Sequence, residues 1–110
     1  MNISITFRHV DASDAIKQYA SEKLSRLQKF LHRPMEAKVT VSLDKLQHTV
    51  EVRLSSGSEH IEASESSQDM YASIDKVVDK LERQINASKG AMLAHRRGAD
   101  SMRGSAGGES

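Results

Sequence analysis

The chain has 110 residues, a formal net charge of +1 and no cysteine. That length holds one domain with a modest core, and the missing thiols exclude disulfides, thiolate catalysis and zinc sites built from sulfur. No apolar run approaches the roughly 20 residues of a membrane span, and the alternating N-terminus lacks the continuous apolar stretch of a secretory signal, so a soluble cytoplasmic protein with no membrane partner is expected.

Ile3, Ile5 and Phe7 alternate with Asn2, Ser4, Thr6 and Arg8, the period-two pattern of a half-buried first strand. The period changes at Ser13, a helix N-cap with Asp14 behind it favouring the dipole. Ile16, Tyr19, Ala20, Leu24, Leu27 and Leu31 then predict an amphipathic helix of about five turns, stopped before Pro34, which disfavours helical geometry at Arg33. Ala37, Val39, Val41 and Leu43 form a second alternating strand. Val50, Val52 and Leu54 form a third, with Thr49, Glu51 and Arg53 on its other side. Ser56-Gly57-Ser58 supplies a tight turn into a short fourth strand holding Ile61 and Ala63. Ser66 is expected to cap a second helix, with Asp69 as a shortened capping-box partner. Met70, Tyr71, Ile74, Val77, Val78, Leu81 and Ile85 make its apolar stripe. This helix is expected to run to about residue 88, with continuation past Gly90 costing about 1 kcal/mol.

Strand, helix, three strands, helix is an α+β order, β-α-β-β-β-α. A four-stranded mixed sheet with two helices on one face buries all the apolar stripes at once. The first crossover is right-handed and pairs its strands in parallel, hairpins join the rest, and the other face meets water. The domain spans residues 1–95. Residues 96–110 form a Gly/Ser-rich tail; 98–110 alone hold four of the six glycines and are expected to be disordered, because they bury too little to offset ordering entropy.

The five histidines show no metal-ligand spacing, and there is no phosphate loop, nucleophile elbow or apolar carboxylate pair, so neither a cofactor, a metal nor an enzyme activity is expected. Charge is segregated along the chain. Residues 1–34 carry six Lys/Arg against three Asp/Glu, residues 35–66 three against six, and residues 67–110 seven against six. Lys23, Arg26 and Lys29 step by three on the first helix, with Lys17 extending the row. Lys76, Lys80 and Arg83 recur at three- and four-residue steps on the second, with Lys89, Arg96 and Arg97 beyond. One such row is ordinarily a solvated face. Two rows on helices packed about 10 Å apart are expected to merge into a patch several phosphates wide. Glu22, Asp75, Asp79 and Glu82 dilute it, which argues for a shaped partner over bare charge attraction. Phe7, Tyr19 and Tyr71 sit at apolar positions and are expected in the core, so recognition is expected to go by phosphate and shape, as with folded RNA.

Asp69-Met70-Tyr71, then Ile74-Asp75, then Asp79-Lys80-Leu81-Glu82-Arg83-Gln84 and Lys89 resemble the second-helix signature of the ribosome hibernation promoting factor family, also called ribosome-associated inhibitor or sigma-54 modulation proteins. Asp14-Ala15-Ile16 with Lys23-Leu24-Ser25-Arg26-Leu27 resembles its first helix, and Glu62-Ala63-Ser64 the strand before the signature. The resemblance covers residues 1 to about 95. It implies a fold related in shape to double-stranded-RNA-binding domains and a translation inhibitor seated on the small ribosomal subunit, where messenger and transfer RNA would lie. The family's rRNA contacts carry over best to Lys80, Arg83 and Lys89 and to Lys23, Arg26 and Lys29. Without a second, dimer-forming domain the chain looks like a short form, expected to be a monomer when free. Its tail is not acidic, which leans toward the subtype that promotes ribosome dimers with a partner factor. Two other readings stay open: a general duplex-RNA-binding module, and a transcription modulator, for which no DNA-reading helix is visible.

Overall fold

The computed structural model describes the backbone of residues 1–97 and the side chains of residues 1–87. The elements are β1 (Asn2–Arg8), α1 (Asp14–Ser25), a 3₁₀ turn (Arg26–Phe30), β2 (Met35–Asp44), β3 (Gln47–Ser56), β4 (Glu59–Ser67) and α2 (Met70–Arg97). The expected α+β order therefore holds. One sheet has the order β1-β2-β3-β4. β1 lies parallel to β2, with Ile5 opposite Val39, and the two remaining pairs are antiparallel hairpins.

Alternation sends Met35, Ala37, Val39 and Val41 of β2 and Val50, Val52 and Leu54 of β3 to one face. There they join Ala20, Leu24 and Leu27 from the first helical segment and Met70, Ile74, Val77, Leu81 and Ile85 from α2 in a single core. Both helices thus cover the same side of the sheet, and Glu36, Lys38, Glu51 and Arg53 are exposed on the other. At the β3–β4 turn Gly57 has φ +62° beneath the Arg33 side chain. A positive φ at the first central residue of a two-residue hairpin favours glycine, and an added Cβ there would stand 2.9 Å from Arg33 Cδ.

Three local expectations are corrected. The first helix does not stay α-helical for five turns. Ser25 Oγ donates to the Glu22 carbonyl, and the Arg26 N–H reaches back three residues to Lys23. The tightened turn that follows is tied off by Gln28, whose amide donates to the Arg33 carbonyl while its oxygen accepts from the Met35 N–H, steering the chain into β2. Ser66 is not the second N-cap either. It remains in β4, opposite Thr49, with the two hydroxyls 2.8 Å apart. The cap is Asp69, whose Oδ2 accepts from the Ala72 N–H at 3.2 Å. β4 accordingly runs to Ser67 and is longer than the short strand expected. The continuation of α2 past Gly90, which the sequence left open, is realised, and the helix runs to Arg97. Of the expected tail, residues 98–110 lie outside the described residues.

Cap assignment has a measurable consequence. Asp69→Ala should lower unfolding free energy by about 1 kcal/mol, and Ser66→Ala by less than half as much, in urea titrations. Equal losses would return the cap to Ser66.

Candidate nucleic-acid interface

Burial of Met70, Ile74, Val77, Leu81 and Ile85 fixes the rotation of α2, and with it the direction of every charge it carries. At about 100° per residue, Lys80, Lys76 and Arg83 lie roughly 100–160° from the centre of that stripe in one sense, while Glu82, Asp75 and Asp79 lie roughly 100–160° from it in the other. One flank is basic and the other acidic.

The acidic flank faces α1. Lys23 Nζ is 3.6 Å from Asp75 Oδ1 and 5.3 Å from the centre of the Tyr19 ring. Lys23, Arg26 and Leu27 on one wall, with Asp75, Val78, Asp79 and Glu82 on the other, line a cleft of about 200 Å³. Arg83 Nη2 holds Asp79 Oδ2 at 2.8 Å one helical turn away. Arg26 and Arg83 therefore flank Asp79. Lys29 is exposed, with Nζ 5.2 Å from the Phe30 ring centre. Because a 3₁₀ turn has three residues per revolution, Arg26 and Lys29 eclipse one another along it. On the far flank Lys80 reaches β4 and pairs with Glu65 at 3.4 Å, whereas Lys76 is exposed without a carboxylate partner among the described residues.

The six cations Lys23, Arg26, Lys29, Lys76, Lys80 and Arg83 are thus brought to the helical side of the molecule, but the expected single patch is divided by a seam of carboxylates. Lys89, Arg96 and Arg97 belong to the α2 backbone, and their side chains lie outside the described residues. Sequence reasoning named Asp75 as a diluent of the patch but not as the partner of Lys23, and it missed Glu65. Only tertiary packing pairs residues 23 with 75 and 65 with 80. It also misplaced Tyr71, which is 38% exposed at the margin of the apolar stripe. Tyr71 instead makes an edge-on contact with Tyr19, ring centres 4.9 Å apart. Among the described residues no group of three or more His, Asp or Glu side chains is disposed to hold a metal ion, and no helix is long and apolar enough to cross a membrane.

Asp75 is the hub of the helix–helix contact, because it also accepts a 2.7 Å bond from the Tyr19 hydroxyl. That bond is the largest cause of a Tyr19 pKa above the ordinary 10.0, with partial burial adding to it. The folded-state pKa is the raised one. The bond's stabilisation is therefore complete below the unfolded value and is lost as pH climbs through the folded one. In a Tyr71→Phe background, ultraviolet titration should find Tyr19 ionising at higher pH than a free phenol, and Asp75→Asn should bring the transition down. A transition indifferent to Asp75→Asn would exclude the bond as its cause.

Residues 3–92 match the family model described as Sigma 54 modulation protein / S30EA ribosomal protein. A ribosome hibernation promoting factor from Azotobacter vinelandii is 32% identical over 98 residues, 89% of this chain and 92% of that protein. The protein of the same name from Escherichia coli K12 is 32% identical over 95 residues, 86% of this chain and the whole of the relative. Among solved structures, the N-terminal domain of Thermus thermophilus Protein Y superposes with a TM-score of 0.73 at 34% identity, covering 77% of this chain and 96% of that one. A ribosomal subunit interface protein from Coxiella burnetii gives 0.72 at 27% identity over 82% of this chain and 99% of that one. With the signature of residues 69–85 laid along α2 and the whole fold shared, the chain belongs to the Sigma 54 modulation protein / S30EA ribosomal protein family, that of the ribosome hibernation promoting factors.

Proposed function

We propose that this protein acts in ribosome hibernation by occupying the decoding channel of the small ribosomal subunit, where it excludes messenger and transfer RNA and stops translation. The observation that carries this reading is the pair of cationic helix flanks, Lys23, Arg26 and Lys29 on one side and Lys76, Lys80 and Arg83 on the other, in a chain whose relatives are named for hibernation and for the subunit interface. No catalytic chemistry is required of it. The protein works in the cytoplasm as a free monomer that docks on rRNA by phosphate contact and shape, with Lys89, Arg96 and Arg97 as further rRNA contacts. With a partner factor its product is the ribosome dimer.

Lys80 and Arg83 are exposed and their ion pairs lie at the surface, so their worth to folding is small. The double charge reversal Lys80→Glu with Arg83→Glu should abolish sedimentation with small subunits while unfolding free energy changes by less than about 1 kcal/mol. Cosedimentation that survives the double reversal would refute the surface. If about six to eight phosphates are engaged, wild-type affinity should drop on the order of a thousandfold or more between 50 and 200 mM salt. In cells, sucrose gradients of stationary-phase extracts should lose the ribosome-dimer peak when the protein is deleted. An unchanged dimer peak would leave translation inhibition in place and remove dimer promotion.

A further inference from the structure

Half of the six described cations assigned to rRNA already have carboxylate partners: Lys23 with Asp75, Lys80 with Glu65 and Arg83 with Asp79. The seam between the two helices is more than a diluent. Its position is set by the same buried stripe that orients the basic flank, and Asp79 and Glu82 sit on the α2 wall of the cleft, opposite Lys23 and Arg26. Asp75 is occupied by Tyr19 and Lys23 and serves packing. Asp79 has one charge partner, Arg83, and Glu82 has none among the described residues.

Consider an RNA laid across both flanks. A regular duplex presents phosphates at even spacing, so a backbone that contacts Arg26 and Arg83 together must also carry negative charge over Asp79 and past Glu82. Like charges facing one another across a contact suppress the wrong partner far more than they weaken a partner shaped to avoid them. A folded RNA surface can instead send phosphates to the two flanks and turn base edges toward the seam, where amino groups donate to carboxylates.

Resting on the proposed rRNA-binding role of these helices, we propose that Asp79 and Glu82 are specificity-determining residues that reject continuous phosphate backbone, so that generic duplex RNA is refused and the folded surface of the small subunit is accepted.

The test compares the full chain with Asp79→Asn/Glu82→Gln at one fixed salt concentration, measuring affinity for purified small subunits and for a generic RNA duplex in parallel. The control, Glu36→Gln/Asp44→Asn, makes the same change in net charge at exposed β2 positions away from the helices. The seam variant should bind duplex about tenfold more tightly while its affinity for subunits changes less than about threefold, and the control should move both by less than about twofold. Glu82→Gln alone, which leaves the Arg83–Asp79 pair intact, should give part of the duplex gain and so separates repulsion from the release of Arg83. Thermal unfolding verifies that each variant is folded. A gain shared equally by duplex and subunits, a control that reproduces it, or no gain on duplex would each overturn the proposal. The unsubstituted chain tests the ribosomal reading separately: equal affinity for duplex and subunits would sink that reading, while the effect of the seam on duplex binding would still be measured.

Discussion

The placement of every charge on this molecule follows from one constraint: α2 must bury Met70, Ile74, Val77, Leu81 and Ile85 against a sheet whose inward residues are already fixed by alternation. Leu81 is fully buried and Ile74 and Val77 nearly so, which leaves the helix no freedom to roll. Large-to-small changes in such a stripe cost about 2–5 kcal/mol, whereas the ion pairs on its flanks are worth at most about 1 kcal/mol each. Core packing therefore decides the rotation, and electrostatics accommodates it. Acidic residues fall on the flank turned to α1, where Lys23 and Arg26 meet them, and basic residues fall on the flank turned to β4.

The first helical segment solves a different problem. Its residues must cover the β1 side of the core and then deliver the chain into β2, and Pro34 forbids a simple α-helical exit. Conversion to a 3₁₀ turn at Arg26, with Gln28 bridging the Arg33 carbonyl and the Met35 N–H, shortens the path while keeping Leu27 buried. A by-product is that Arg26 and Lys29 stand in register. The geometry that closes the fold also aligns two of the cations of the candidate interface.

Period-two strands and the α2 stripe are local signals, and β1, β2, β3 and the helical order were legible from them. The N-cap was not, because Ser66 and Asp69 both have capping side chains, and the choice rests on β4 pairing with β3 as far as Ser67 opposite His48, a contact made across the sheet. Tyr71 lies about 80° from the stripe centre, a marginal position where a wheel cannot distinguish core from rim. The individual cations of the candidate site were readable as helical rows. Their partition by a carboxylate seam was not, since the pairs 23–75 and 65–80 join distant parts of the chain and depend on how each helix is rolled.

On the proposed rRNA-binding role, that partition changes how affinity arises. A cation held by a surface carboxylate loses little when it exchanges that partner for a phosphate, because both are hydrated, screened interactions of similar size. Lys23, Lys80 and Arg83 are thereby oriented in advance at little cost in affinity, with part of their side-chain entropy lost in folding instead of in binding. Charge matched within the surface also lowers its long-range attraction for arbitrary polyanions, in keeping with a net charge of only +1. The proposed role, finding one cleft among an abundance of cellular RNA, gains more from that restraint than from a stronger uniform field. Under the proposed role, the carboxylates among the cations are as much a part of recognition as the lysines and arginines themselves.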